Sequence, residues 1–308
     1  MHPDPTTAAL QGTVRLEDWG VIRAQGEDSR KFLHGQLTQD VEHLAPGTAG
    51  LAAYCTAKGR MLATFVMWSP APDQVLLACS ADLLPAVLKR LSMFVLRAKC
   101  KLSDASAELP LWGQAGAAPE GLAVWQVQAD GAGWQLRLPD ALLPGGERVT
   151  RGLLAGVTPS DPSTLAPDAW RALEVHSGVA RVSAATSEQF VPQMVNLELV
   201  GGVNFQKGCY PGQEIVARSQ YRGTLKRRAQ VLSSDAALAP GLEVFHSEDP
   251  GQPAGLVALA GQIAGSAPVA LAELKLSALM GGSLHAGSAT GPLLRLGALP
   301  YAIPADAP

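Results

Sequence analysis

An amphipathic stretch from Asp82 to Arg97 carries the clearest periodicity in this chain. Its apolar residues recur at helical spacing and form one stripe, with Lys89 and Arg90 on the opposite side. Pro85 falls in the first turn, where proline is tolerated. Such a helix buries its stripe against a sheet or another helix, so it constrains the layers around it. The stripe consists of Leu83, Leu84, Val87, Leu88, Leu91, Phe94 and Val95.

The segments around this helix predict an α+β fold. A strand that carries Trp19 is expected over 14–22, and a helix capped by Asp28 or Ser29 follows it. Two apolar runs, 50–56 and 61–68, flank a turn and predict a hairpin. Further strands are expected over 74–80 and 98–103. This order of strands and helices is typical of a sheet with its helices on one face.

The second half of the chain changes character at Ala229. Before this residue, several strands are expected over 109–154, followed by a helix from Pro167 or Asp168 to His176. After it, short apolar runs alternate with Gly, Pro and Ser, which predicts a small antiparallel barrel or sandwich.

Composition and charge exclude several classes of protein. The 308 residues are 47% apolar and 17% charged, as expected of a globular chain with more than one domain. The net charge of −3 argues against direct binding of nucleic acid through bulk positive charge. The N-terminus does not resemble a secretory signal, and no window has the ~20 strongly apolar residues of a membrane span. A soluble, cytoplasmic protein without a membrane partner is expected.

The 4 cysteines and 6 histidines are scattered, without CxxC or metal-ligand spacing, so no intrinsic metal is predicted. Cys209 nevertheless lies in an unusual loop, Lys207-Gly208-Cys209-Tyr210-Pro211-Gly212-Gln213-Glu214. Pro-Gly favours a tight turn, and a thiol on such a loop beside a lysine is more exposed and more readily deprotonated than one inside a strand. The alternative is a buried structural thiol. The loop favours a functional thiol, acting as a redox partner, a transient sulfur or cluster contact, or part of a ligand channel.

Several blocks of sequence resemble one known family. The Cys209 loop follows Gln189-Phe190-Val191-Pro192-Gln193-Met194-Val195-Asn196-Leu197 and Gly201-Gly202-Val203-Asn204-Phe205, and it precedes Val216-Ala217-Arg218 and Tyr221-Arg222-Gly223. Leu16-Glu17-Asp18-Trp19, residues 32–41 and Lys58-Gly59-Arg60 are further blocks in the same order. Together they are similar to the signature of the YgfZ family, folate-binding proteins within the glycine-cleavage T-protein (GcvT) superfamily. The resemblance covers residues 14–228.

This resemblance implies a GcvT-like fold: two ferredoxin-like lobes and a C-terminal antiparallel β-barrel in a ring-like arrangement. The expected division is a disordered lead over 1–12, a folate-binding region over 13–228 with its two lobes split near 105–165, and the barrel over 229–308. Tetrahydrofolate or a derivative is the implied cofactor, bound in the central channel. Without the resemblance, Trp19 and Trp170 would be interpreted as core residues. They match the two family tryptophans that contact folate.

The polar residues around the loop have two interpretations. Lys207 and Arg218 either belong to a solvated loop or set the local potential. Gln213 and Glu214 either support the loop or bind ligand. Downstream, a basic run is either a solvated segment, a contact for the carboxylates of a polyglutamyl folate tail, or a docking site for tRNA or a client. The run consists of Arg218, Arg222, Lys226, Arg227 and Arg228.

Two functions follow from the resemblance. The first is a non-enzymatic, folate-binding factor that supports synthesis or repair of iron–sulfur clusters in client enzymes such as the tRNA methylthiotransferase. The second is a folate-dependent aminomethyltransferase or demethylase of the T-protein kind, which needs an acidic group near the folate nitrogen. The sequence does not place that acid, and the cysteine loop favours the first function. A scaffold that has lost its ligand is a third reading, against which Trp19, Trp170 and Cys209 argue.

Overall fold

Two antiparallel sheets, a closed barrel and four α-helices make up the part of the chain described by the computed structural model, residues 10–116, 121–162, 164–221 and 225–304. The elements are β1 (Gly12–Arg15), β2 (Trp19–Gln25), α1 (Ser29–His34), β3 (Ala49–Cys55), β4 (Met61–Ala71), β5 (Gln74–Ser80), α2 (Leu84–Met93), β6 (Lys101–Asp104), β7 (Leu111–Ala115), β8 (Val127–Asp130), β9 (Gly133–Leu142), β10 (Arg148–Ala155), α3 (Pro167–His176), α4 (Gln213–Tyr221), β11 (Arg227–Ser234), β12 (Glu243–His246), β13 (Asp249–Gly261), β14 (Val269–Lys275), β15 (Leu284–Ala286) and β16 (Leu293–Leu296). Short 3₁₀ helices cover Pro192–Val195 and Leu276–Leu279.

The first sheet has the strand order β3-β4-β5-β2-β6, and the predicted β3–β4 hairpin is confirmed. Residues 61–68 of β4 are buried on both faces, as expected of a strand covered from both sides. Helix α2 is shorter than expected, because it ends at Met93 and Leu96 takes a positive φ of 41°. Phe94, predicted to face the core, is therefore 46% exposed.

The expected strand over 14–22 is two strands in two different sheets. β1 pairs with β7 at the edge of the second sheet, whose order is β1-β7-β10-β9-β8, while β2 pairs with β5 and β6 in the first. The backbone N–H of Trp19 donates to the carbonyl of Leu16 (3.3 Å), which turns the chain between the sheets. This turn places Asp18 and Trp19 at the junction of the two sheets.

The predicted disordered lead needs a correction at its end. Residues 1–9 lie outside the described residues, but Leu10 is fully buried and Gly12 begins β1. Pairing with β7 orders this segment. The expected split between the lobes stays a proposal, which we place between the end of β6 at Asp104 and the start of β7 at Leu111.

Helix α3 spans the predicted residues Pro167–His176, because proline at its first position fixes a helical φ and needs no N–H partner there. The helix contacts β9 of the second sheet and β13 of the barrel. Trp170 on α3 is 1% exposed, and its indole ring lies against Gly113 of β7. The close approach of this ring requires glycine at position 113.

The predicted C-terminal barrel is confirmed. Its six strands close in the order β11-β14-β13-β12-β15-β16, with β16 pairing back to β11. Its core is built largely from alanine, leucine and valine, which suits a narrow barrel. None of the helices in the described ranges is long and apolar enough to cross a membrane.

We expect Gly113→Ala to destabilise the protein by about 1–3 kcal/mol, because overpacking a dense core forces side chains out of their rotamers. A Cβ at this position would lie 2.7 Å from the Trp170 ring. Denaturant unfolding measures the change. Gly145→Ala is the control, since its Cβ would meet nothing within 4 Å. Equal stability of the two variants would contradict the packing argument.

Candidate functional site

A narrow cavity lies where the first sheet, the second sheet and α3 meet. Trp19 lines it, together with the apolar side chains Leu51, Phe65, Val66, Leu138 and Val179. Its free volume is about 30 Å³, close to that of one water molecule. Its charged lining residues, among those described, are Arg151, Glu174 and Arg181. An apolar wall with a few convergent polar groups is typical of a small-molecule site.

Arg181 is the best-connected side chain of this cavity. It bonds both carboxylate oxygens of Glu174 (3.1 and 3.2 Å), and it also donates to Asp18 (2.9 Å) and to Ser80 (3.1 Å). Its guanidinium carbon lies 4.8 Å from the centre of the Trp19 ring. Burial alone lowers the pKa of Arg181, but the charges of Glu174 and Asp18 outweigh it and raise the pKa. Arg181 therefore stays charged and holds Trp19 in place.

Arg151 lies in β10 and has a different environment. It is 4% exposed, and its guanidinium carbon lies 4.9 Å from the centre of the Trp170 ring. Its buried Nε and Nη1 atoms have no hydrogen-bond partner among the described residues. Burial lowers the pKa of Arg151 to about 10, partly offset by the charge of Glu174. The group is therefore charged at neutral pH, and its Nε and Nη1 donors have no acceptor among the described residues.

The two predicted folate tryptophans have different positions. Trp19 is half-buried and lines the cavity, whereas Trp170 is buried behind the guanidinium of Arg151. A direct contact of Trp170 with folate stays a prediction. A third tryptophan, Trp125, lines the cavity from the loop before β8 with a φ of 66°. Sequence analysis missed Trp125, Arg151, Glu174 and Arg181, since none lies in a motif with a recognisable spacing.

The Cys209 loop lies at the tip of the β3–β4 hairpin and is firmly anchored. Lys207 is 8% exposed. Its Nζ donates to the carbonyl of His34, the last residue of α1, and to the carbonyl of Leu37 (2.8 Å), which lies just after the helix. Burial lowers the pKa of Lys207 to about 8, partly offset by the charges of Asp40 and Cys209. Its first role is thus to clamp the loop, rather than to stand free beside the thiol.

The Pro-Gly turn of the loop packs directly on the hairpin. Gly212 has a φ of 81°, and a Cβ there would lie 2.4 Å from the carbonyl oxygen of Thr56. Gly59 at the hairpin tip has a φ of 71° and faces Ile215. The structure therefore brings the Lys58-Gly59-Arg60 block and the cysteine loop together, and glycine is required on both sides.

Cys209 itself is exposed, while Cys55 and Cys79 are buried. The His34 ring lies beside its loop, with Nε2 3.5 Å from the position of a Cβ on Gly208. Asp40 accepts from Nδ1 of His34 (2.9 Å) and of His43 (2.9 Å), so the two imidazoles share one carboxylate beside the loop. Cys209 is not among the residues that line the cavity. The thiol and the tryptophans thus form two separate sites.

Comparison with known proteins identifies the family. No family model matches the chain. The tRNA-modifying protein YgfZ of Klebsiella pneumoniae (strain 342) is 32% identical over 248 residues, which cover 74% of this chain and 73% of that protein. The chain belongs to the YgfZ family. Aminomethyltransferase T of the glycine cleavage system from Bartonella henselae shares the fold, with a TM-score of 0.73, 17% identity, and coverage of 96% of this chain and 87% of the other. The predicted family and GcvT-like fold are confirmed.

The basic run of this YgfZ-family chain has largely structural partners. Arg227 bonds both oxygens of Glu273 (2.7 and 2.9 Å), and Arg228 is buried against Glu198 and the carbonyl of Gln193. Arg227 therefore pairs within the barrel, and Arg228 joins the barrel to the segment 193–198, while a contact with a folate tail or a partner stays a prediction. Lys226 is exposed, and Arg222 lies outside the described residues.

The residues after the Pro-Gly turn are helical, where sequence analysis expected only a loop. Gln213 and Glu214 form the first turn of α4, and Arg218 lies in its last turns. Glu214 and Arg218 are exposed. A carboxylate in the first turn of a helix stabilises that helix through the helix dipole, so Glu214 stabilises the start of α4 directly after the loop.

We expect Ellman's reagent to modify one thiol rapidly in the native protein, and Cys209→Ser to abolish that phase. Burial raises the pKa of Cys55 and of Cys79 to about 12, and that of Cys100 to about 11, so these thiols react slowly. Stopped-flow absorbance measures the rates, with Cys100→Ser as the control that keeps the fast phase. A fast phase that survives Cys209→Ser would contradict the placement of the loop.

Proposed function

We propose that this protein is a tetrahydrofolate-binding accessory factor that supports synthesis or repair of iron–sulfur clusters in client enzymes, with Cys209 as its functional thiol. The observation that carries the proposal is the cavity between the lobes, whose aromatic walls and opposed charges suit a pterin. The relative from Klebsiella is named as a tRNA-modifying protein. A tRNA methylthiotransferase is accordingly the client class that we propose.

The chemistry of the cavity fits the folate head group. A pterin is flat, aromatic and polar at its edges, and the indole rings of Trp19 and Trp125 offer flat apolar surfaces for stacking. Arg151 has free donors for a ligand oxygen. The carboxylate of Glu174 has lone pairs beyond those used by Arg181. Bound folate would supply a one-carbon carrier at this site.

The size of the cavity requires that its walls move when a pterin enters. A free volume of about 30 Å³ holds a single water-sized group. The backbone of Trp125 is paired with the carbonyl of Arg137 (2.8 Å) and the N–H of Ala49 (2.7 Å), so the movement that we expect there is a rotation of the side chain. We propose that Trp125 swings outward when folate binds.

Cys209 suits transient contact with a client rather than storage of a cluster. It is exposed on a loop whose backbone is anchored on both sides. A single cysteine supplies one of the ligands that an iron–sulfur cluster needs, so a client or a small thiol would supply the others. Direct binding of nucleic acid and a membrane role are not part of the proposal, and the proposed location is the cytoplasm.

The alternative is a folate-dependent aminomethyltransferase or demethylase, and the fold shared with aminomethyltransferase T is what favours it. Transfer of this kind needs an acid or base beside the folate nitrogen. Among the described cavity residues the carboxylate is Glu174, and both of its oxygens bond Arg181. Both carboxylate oxygens are thus engaged by a structural partner rather than directed at a ligand nitrogen, which favours the accessory role.

We expect tetrahydrofolate to bind the wild type saturably, and Trp19→Phe to weaken binding about 3- to 10-fold, since the smaller ring loses part of an aromatic stacking interaction. Anaerobic isothermal titration calorimetry measures both. Trp112→Phe is the matched control, because Trp112 also lies under an arginine, Arg15, but is absent from the cavity wall. Failure of the folded wild type to bind would remove the folate proposal.

We expect Cys209→Ser to abolish support of the client enzyme in cells while stability and folate affinity stay unchanged, because the thiol is exposed and outside the cavity. The readout is the methylthio content of tRNA in a strain that lacks its own homologue. Cys100→Ser is the control. Wild-type tRNA modification by the Cys209 variant would reject the role of the thiol.

A further inference from the structure

Arg151 is a buried cation with two unused donor nitrogens, Nε and Nη1. At 4% exposure, its Nε and Nη1 reach neither protein acceptors in the described chain nor bulk solvent. Leaving charged donors unpaired in a protein interior is costly, so such a group indicates a missing acceptor. The lining position of Arg151 means that a ligand in the cavity can supply that acceptor.

The neighbouring carboxylates do not supply the acceptor that Arg151 lacks. Glu174 gives both carboxylate oxygens to Arg181, and Asp140 pairs with another buried arginine, Arg137. The charged residues that line the cavity are thus two arginines and one glutamate. The excess positive charge favours a ligand atom that is rich in electrons.

The position of Arg151 is fixed by packing. The guanidinium stacks on Trp170 at 4.9 Å, and the Trp170 ring is itself held against Gly113. β10, which carries Arg151, pairs with a strand on each side, β7 and β9. A donor that cannot move away discriminates strongly between ligand atoms that accept and atoms that donate hydrogen bonds.

We propose that Arg151 selects the 4-oxo group of the pterin ring and rejects 4-amino pterins. This inference rests on the proposed folate site and specifies which edge of the pterin ring the site recognises. The 4-oxo oxygen accepts hydrogen bonds from a guanidinium, much as the O6 of guanine does from arginine. A 4-amino group would place a donor against a donor and leave Arg151 unpaired.

The test compares tetrahydrofolate with tetrahydroaminopterin, which differs in carrying a 4-amino group in place of the 4-oxo group. By anaerobic calorimetry we expect the wild type to prefer tetrahydrofolate by about 10- to 100-fold, the range for a hydrogen bond to a charged group. Arg151→Met should weaken tetrahydrofolate and bring the two affinities within about 3-fold of each other. Arg15→Met is the matched control, since Arg15 also covers a tryptophan, at 5.8 Å, but lies outside the cavity.

The outcomes separate this inference from the proposed function. If the wild type binds both ligands equally, or if Arg151→Met keeps the wild-type ratio, the selection by Arg151 is wrong while the folate site stands. If the folded wild type binds neither ligand, the folate site and the inference fail together. Should Arg151→Met not fold, Arg151→Gln keeps a polar side chain that can either donate to a 4-oxo group or accept from a 4-amino group, so the preference should fall. An unchanged affinity ratio in that variant would also overturn the inference.

Discussion

The Arg181 guanidinium is the interaction on which the rest of the cavity depends. It joins α3 through Glu174, the turn between the two sheets through Asp18, and the end of β5 through Ser80. These partners are up to 163 residues away in the chain. Removing one partner from such a buried network leaves a charge uncompensated, so the network ties these three elements together more strongly than a surface ion pair would. The orientation of Trp19 follows from it.

The two arginines that line the cavity, Arg151 and Arg181, have similar positions but different roles. Each lies over the face of a tryptophan, at 4.8 Å for Arg181 and 4.9 Å for Arg151. Arg181 has protein partners for its donors and acts as a structural joint, while Arg151 keeps two buried donors unused. Native structures pair most buried donors, so each exception calls for a physical explanation, and here the proposed ligand would provide it. The cavity is therefore asymmetric: the donors of Arg181 are paired within the protein, whereas two donors of Arg151 are available to a ligand.

The cavity and the thiol are distinct sites on one hairpin. Residues in the middle of β3 and β4 line the cavity, while their tip supports the Cys209 loop. From Leu51 to Cys55 the strand spans about 13 Å at the usual rise per residue. The hairpin is the shortest covalent path by which the cavity and the thiol can influence each other. Because both faces of β4 are buried along residues 61–68, the hairpin is a stiff connection.

The sequence alone determined the elements whose signals are local: α3 with its first-turn proline, the β3–β4 hairpin, the alternating strands of the barrel, and the glycine-rich cysteine loop. It also identified the family, because the motif around Cys209 is long and irregular. Only the tertiary structure placed β1 and β2 in different sheets and brought Arg151, Glu174 and Arg181 into one cavity. It also turned Lys207 from a neighbour of the thiol into a clamp on carbonyls about 170 residues earlier in the chain. These features depend on contacts between distant segments, whose geometry is set when the sheets pack and leaves no periodic trace in the sequence.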